Sequence, residues 1–289
     1  MNQGNEGHTS ALYVWNGICM FWGTSFHTDP HSHNTLQLVF DIDKKLKLKD
    51  AANDWAPYSA ALIGAGHVHQ LDSCGSIQLF IYLDADSHYA RKLTDKYLKD
   101  QGIADLADTG IADLSTGFFK KLLVQSDCKV LFEGCQTLLE HLVDMEKPSV
   151  IDERILKAVD FIASAQNRQF KVAEVADHVC LSESRLRHLF KAQVGQPIQS
   201  FIKWMKVVDS LNLVLNGRQL AQSAIDAGFW DSSHMNKSYR ELLGIAPGQV
   251  RAFEKDLKIV ACSGDGLQKI RTEIYQGLNT RSTRKIIEI

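Results

Sequence analysis

The sequence predicts a multidomain α+β protein, with a β-rich first half and an all-helical region after residue 150. Three observations carry this prediction. Short apolar or alternating runs recur from Leu12 to about Leu83: LYVWNGICMFWG, TLQLVFDI, YSAALIG and SIQLFIYLD. Such runs, at this spacing, suggest a small sandwich or barrel. A helical pattern repeats itself 49 positions apart in the C-terminal half, where Ser182, Leu186, Phe190 and Gly195 recur as Asp231, Met235, Tyr239 and Gly244. The charge is also uneven. Residues 1–150 hold 12 Lys+Arg against 19 Asp+Glu, and the remaining 139 hold 20 against 15. A basic part joined to an acidic one fits a nucleic-acid module attached to something else.

Turn-prone stretches (HTDPHSH, KDAAND, DSCGS) separate the N-terminal strands. Residues 88–143 read as helical. Within them, Phe119, Leu122, Leu123, Val130, Leu131, Leu138, Leu139 and Leu142 recur mostly at helical spacing. This helical pair is expected to cover the sheet, with a dimer face as the alternative. MEKPSVI (145–151) marks a boundary, and an amphipathic helix follows over 152–163 with Ile155, Leu156, Val159 and Ile162 on one face. Short helices are expected at 172–179 and before Gly228, and a longer one between Pro197 and Gly217. The predicted domains are 1–147, 148–256 and a weakly periodic, partly ordered extension over 257–289.

The two repeated helices are built alike. Ser182 and Asp231 suit an N-cap, because their side-chain oxygens accept from unpaired backbone N–H groups. Gly suits the exit through its tolerance of the left-handed conformation. Their outward faces carry Arg185, Arg187, His188 and Lys191 in one copy, and His234, Asn236, Lys237 and Arg240 in the other.

Composition narrows the function classes. At 45% hydrophobic and 23% charged the chain reads as globular, with no apolar run long enough to span a bilayer and hence no membrane partner. The N-terminus lacks the pattern of a secretory signal. The six cysteines include no C-x-x-C pair, which reads as reduced thiols in a cytoplasmic protein. No catalytic triad, phosphate-binding glycine loop or paired catalytic carboxylates can be made out, so an enzyme is not expected.

VAEVADHVCLSESRLRHLFKAQVGQPIQSFI, then AGF, then ELLGIAPGQVR resemble, in that order, the DNA-binding domain of AraC/XylS-type transcriptional regulators. The resemblance covers residues 152–253, about a third of the chain. It implies two helix-turn-helix units bridged by one long helix. The second helix of such a unit lies in the major groove. Candidate DNA-binding residues are then Ser184, Arg185, Arg187, His188 and Lys191 in the first unit, and Ser232, Ser233, Asn236, Lys237 and Arg240 in the second. Arg187 could donate two bonds to guanine, whereas Lys191 and Arg240, one turn later, suit phosphates. Four positions depart from the family's pattern: Lys206 and Ser210 in the bridging helix, Ser223 in place of an aliphatic residue, and Trp230. In the second turn Trp230 replaces a small polar residue. It is expected to pack on the bridging helix, the alternative being the sugar-phosphate backbone.

His27, His31, His33, His67 and His69 crowd two stretches of the β-rich half. The spacing His31-x-His33-x-x-x-Gln37, with Gly66-x-x-His69, resembles a degenerate cupin motif pair over roughly residues 20–84. The resemblance implies a cupin-like barrel that binds a small effector. His31, His33, Gln37 and His69 are the candidate effector residues, with divalent metal bound by His31, His33 and His69, or a structural role, as alternatives. Gln37 stands where metal-binding cupins usually have Glu, so no cofactor is expected. The resemblance thus implies a transcription factor acting on double-stranded promoter DNA, modulated by a small molecule. Homodimerisation, and RNA polymerase contact in an activator, go with it. The alternatives are a metal-binding cupin fused to a DNA-binding module, or a DNA-binding protein whose N-terminal half only dimerises.

Overall fold

The computed structural model describes residues 10–24, 27–41, 46–99, 101–122, 127–144, 152–165, 168–243, 246–253 and 257–262. The expected boundary at 145–151, the second closing glycine Gly244 and residues 263–289 lie outside the described residues.

The N-terminal half is built on β1 (Ala11–Val14), β2 (Ile18–Thr24), β3 (Thr35–Asp41), β4 (Lys47–Asp50), β5 (Ala56–Pro57), β6 (Ala60–Ile63), β7 (His69–Asp72), β8 (Ile77–Asp84) and β9 (Ile103–Asp105). Its helices are α1 (His88–Leu93), α2 (Ile111–Leu122) and α3 (Cys128–Leu142). With β10 (Lys258–Ala261) included, seven strands form one sheet in the order β10-β1-β2-β8-β3-β6-β9, and three form a second, β5-β4-β7. The outermost member of the large sheet, β10, comes from the C-terminal end of the described chain.

Alternation along the strands sorts the large sheet's two faces. Met20, Trp22, Leu36, Leu38, Phe40, Leu79, Ile81 and Leu83 bury against α1, α2 and α3, which contribute Leu93, Phe119, Leu131, Phe132, Leu138 and Leu142. The helical pair therefore covers the sheet, as its spacing suggested. The opposite face is shared. Val39, Ile63 and Phe80 meet Leu48 and Leu71 of the small sheet and Leu46 just before it. Val14 and Cys19 instead meet the C-terminal helices.

Two expectations are corrected. Residues 88–143 are not all helical, because Ile103–Asp105 pairs antiparallel with β6 as a three-residue edge strand. The C-terminal extension does not begin as an appendage: Lys258–Ala261 pairs in parallel with Ala11–Val14.

The C-terminal helices are α4 (Glu153–Ser164), α5 (Val172–His178), α6 (Glu183–Val194), α7 (Ile198–Leu215), α8 (Leu220–Asp226), α9 (Ser232–Leu243) and α10 (Pro247–Phe253). The 18 residues of α7 span roughly 27 Å at 1.5 Å per residue. Its first half (Ile198, Phe201, Ile202, Met205) completes a core with α4, α5 and α6. Its second half (Val207, Val208, Leu211, Val214) does the same with α8, α9 and α10.

Candidate nucleic-acid interface and sensory site

The two helical units repeat each other at the level of single hydrogen bonds. Ser182 Oγ accepts from the backbone of Arg185 at 3.3 Å, and Asp231 Oδ1 accepts from the backbone of His234 at 2.7 Å. Gly195 closes α6 at φ 89°. Before each second helix the chain turns through a left-handed residue, Cys180 at φ 52° and Gly228 at φ 86°. The next residue reaches back: Leu181 N–H donates to Ala176 O, and Phe229 N–H to Ala224 O, both at 2.9 Å. These turn pairs are 48 positions apart, whereas the N-caps are 49 apart. The second turn is therefore one residue longer, and the extra residue is Trp230. It is 81% exposed. Its expected packing on the bridging helix is thus corrected, because the added residue bulges outward.

Leu186, Leu189 and Phe190 bury the inner face of α6, as Met235, Ser238, Tyr239 and Leu242 do for α9. Of the predicted contact residues, Ser184, Arg185, His188, Lys191, Ser233, Lys237 and Arg240 are exposed, and Arg187, Ser232 and Asn236 are half-buried. Three are engaged within their own helices, Lys237 loosely, with its Nζ 3.9 Å from Glu241 Oε1. Arg187 Nε donates to Glu183 Oε1 at 2.9 Å, and Asn236 Nδ2 donates to Ser232 O at 2.8 Å.

The polar family departures are absorbed by hydrogen bonds. Lys206 Nζ donates to Gly228 O at 2.7 Å, and burial beside the Arg168 charge lowers its pKa. Ser210 and the Tyr239 hydroxyl bond at 2.9 Å inside the core. Ser223 Oγ donates to Gln219 O at 3.0 Å. Arg168, which pairs with Asp209, is pushed down to about 10 by burial. Polar substitutions thus hold the second unit on α7.

In the N-terminal half, three of the five crowded histidines converge. The segment before β3 bridges the start of β7 through His31 N–H to His69 O (3.0 Å) and His69 N–H to His31 O (2.9 Å). Ligand atoms of His31, His33 and His69 lie within 4.8 Å of one another. Each ring turns Nδ1 to a backbone carbonyl: Asp29 O at 2.9 Å, Thr35 O at 2.9 Å and His67 O at 3.0 Å. A carbonyl only accepts, so each Nδ1 carries the proton, and the Nε2 of neutral His31 and His69 keeps a lone pair. The His33 Nε2 meets the side-chain oxygen Oε1 of buried Gln37, an acceptor, so a lone pair there requires the Gln37 amide to turn its NH2 towards the ring, while the His69 Nε2 is buried without a partner. Burial pushes His69 down to about 4, with the neighbouring histidine charges acting in the same direction. Burial lowers His33 too, against opposing hydrogen bonds from Gln37 and Thr35. His67 points away to Asp50 at 2.9 Å, and His27 faces Asp72 at 3.7 Å.

Sequence reasoning missed the residues joining this cluster to the helices. Tyr82 on β8 meets the His33 ring edge-on at 5.3 Å between centroids. Two residues on, on the same face of the strand, Asp84 accepts from Trp204 Nε1 at 2.7 Å and Ser200 Oγ at 2.5 Å, both on α7. These partners are 116 and 120 residues apart in sequence, and no local pattern marks them.

Two turn-linked helix pairs on one bridging helix define a DNA-binding domain that presents two reading helices. Residues 175–252 match a family described as helix-turn-helix domain. The arabinose operon regulatory protein of Escherichia coli (strain K12) is 31% identical over 104 residues, covering 35% of this chain and 36% of that protein. A putative AraC-like transcription regulator of Streptomyces lividans is 28% identical over 112 residues, 38% of this chain and 37% of that one. Residues 175–252 thus form a helix-turn-helix domain similar to that of the arabinose operon regulatory protein and AraC-like regulators. The chain spans little more than a third of the length of the curated relatives it matches. Among solved structures, unsaturated fatty acid bound wild-type ToxT from Vibrio cholerae strain SCE256 aligns over 88% of this chain and 97% of that chain, at 14% identity and a TM-score of 0.39.

Proposed function

We propose that the chain is a sequence-specific transcriptional regulator, not an enzyme, acting on double-stranded promoter DNA in the cytoplasm. The observation that carries this reading is the matched pair α6 and α9, each capped, each with a largely exposed polar face, and both seated on α7. Ser184, Arg185, Arg187 and His188 read bases in one major groove, and Ser232, Ser233, Asn236 and Lys237 in the next. Lys191 and Arg240 neutralise phosphates, and Trp230 lies against the sugar-phosphate backbone beside the start of α9. A small effector at His31, His33, Gln37 and His69 acts on α7 through Tyr82 and Asp84 of β8. Such an effector biases DNA engagement only by its differential affinity for two states. A homodimer forms through the outer side of α2–α3, where an open groove of ≈ 410 Å³ is lined by Leu114, Phe118, Val130 and Leu138. RNA polymerase is the further partner if the protein activates.

One observation favours a second reading of the sensory site. His69 Nε2 is buried with no partner, and ligand atoms of the three histidines lie within 4.8 Å of one another. Nδ1–H bonds to carbonyls are the usual support of metal-binding histidines. On this reading the effector is a divalent cation of the zinc type.

The test is a footprint on DNA upstream of the protein's own gene across a salt series. Two protected major grooves about 10 bp apart are expected; protection that shows no sequence preference at any salt would sink the regulator reading. Calorimetric titration with Zn²⁺, wild type against His69→Gln, separates the two sensory readings: saturable uptake lost in the variant supports the metal, and equal heats exclude it.

A further inference from the structure

Cys128, the first residue of α3, is bonded to Cys262, the last described residue after β10. This corrects the expectation that all six cysteines are free thiols. The bond spans 134 residues, and the closed loop contains the whole DNA-binding domain. That domain is therefore held to the N-terminal half at both ends: at its start by the chain that follows α3, and at its end by β10 and the bond. At that end the hold without the bond is one short strand and its packing, Ile259 and Ala261 against the core around α7 and Val260 against the core of the sheet. β10 is a four-residue strand at the sheet's outer edge, all of it half-buried, with Cys262 N–H donating to Val14 O at 2.9 Å.

We propose that Cys128–Cys262 is a reversible redox site, at which a dithiol reductant of the thioredoxin type opens the tether between the DNA-binding domain and the sensory sheet. A thiolate of the reductant attacks the sulfur of Cys128, the half-buried partner, and Cys262 leaves as a thiolate that takes up a proton. The second thiol of the reductant resolves the mixed disulfide. Two electrons pass to the protein, which gains two thiols, and the reductant leaves as its own disulfide. Cys135, two turns along α3, does not compete, because full burial pushes its thiol up to about 12. A chain of 289 residues with extensive apolar cores has no need of a staple to fold, unlike small secreted domains. Where a disulfide occurs among proteins kept reduced, redox sensing is its usual role. The exposed faces of α6 and α9 are clear of the bond, so it governs coupling between the halves and not access to DNA.

The experiment uses the full chain equilibrated in glutathione buffers of graded poise, with bonded cysteines counted by alkylation and mass spectrometry. Hydrogen exchange is followed in peptides covering 10–15 and 257–262. One disulfide is expected, giving way to six thiols within the cytosolic range of poise. On opening, exchange of the β1 and β10 amides should rise about tenfold or more while α6 and α9 are unchanged. The C128S/C262S variant should reproduce the open state and ignore the buffer. Three results would each overturn the proposal: no Cys128–Cys262 bond under oxidising buffer, a bond that persists through the whole cytosolic range, or equal exchange of β1 and β10 in the two forms. These readouts need no DNA, so failure of the regulator reading would leave them standing.

Discussion

Arg187 and Lys191 lie one turn apart on α6, yet their environments give them different work. Arg187 is held by Glu183 in a half-exposed pair (38% and 44%) of the kind worth about 0–1 kcal/mol. A bidentate bond to guanine offers about 1–3 kcal/mol of discrimination, so the exchange on DNA is favourable. Arg187→Ala should therefore relax specificity at one operator position. Lys191→Ala should weaken all sequences alike and flatten the salt slope, because a phosphate contact carries no base information. Equal losses on matched and scrambled operators in both variants would refute this division. Glu183→Gln, which frees Arg187, should tighten operator binding slightly. His69 makes a prediction of a different kind. Its folded-state pKa, about 4, lies below the unfolded value of 6.5, so between those values the unfolded chain binds the extra proton. Stability should therefore fall as pH drops from 6.5 towards 4, by up to about 3 kcal/mol, and level off below. Urea unfolding in chelator-treated buffer reads this directly, and His69→Gln should flatten the profile. Parallel profiles would assign the acid lability to another group.

The turn between α8 and α9 rests on Gly228, for two separable reasons. Its φ of +86° disfavours any side chain, and an added Cβ would lie 2.9 Å from the backbone of Arg168. Gly66 has a similar φ, +75°, with nothing within 4 Å of such a Cβ. Gly66→Ala should therefore cost about 1 kcal/mol for conformation alone. Gly228→Ala should cost clearly more, because the backbone it meets cannot rotate away. Denaturant unfolding of the two variants measures the difference; equal costs would mean that the α4–α5 connection yields. The same turn shows what local sequence reveals and what it hides. Ser182, Asp231 and Gly195 were legible because capping is settled within a few residues. The change of offset from 49 to 48, which turns Trp230 outward, was hidden because the eye follows the helices and not the turn between them. Strands β9 and β10 were missed for a related reason. At three and four residues their character comes from β6 and β1, not from their own periodicity.

At the scale of the molecule, the back of the large sheet does two things at once. One part encloses an apolar core with the small sheet, and the other is the seat of α7. Both halves of this arrangement were legible singly, as a β-rich region and as a duplicated helical region, but nothing in either announces that Asp84 joins them. The carboxylate is buried, at 5% exposure, and accepts from Trp204, Ser200 and the Asp86 backbone. Asn16 adds a parallel contact, donating to Phe201 O at 3.2 Å and accepting from Gln196 at 3.1 Å. Asp84→Ala would leave the fully buried Trp204 N–H without an acceptor, which costs about 1–3 kcal/mol. The loss should fall on the seam and not on the reading unit, since the core beneath α6 contains neither Asp84 nor Trp204. We therefore expect Asp84→Ala to lower the melting temperature and to speed hydrogen exchange in α7, with binding to unrelated DNA at low salt kept. Asp84→Asn, which retains one acceptor oxygen for Trp204, should recover most of the stability. If Asp84→Ala instead melted like wild type, the two halves would be held by the Val14, Cys19 and Trp204 packing, the Asn16 contacts and β10 without help from Asp84, and β8 could not carry a signal from the histidine cluster to α6 and α9.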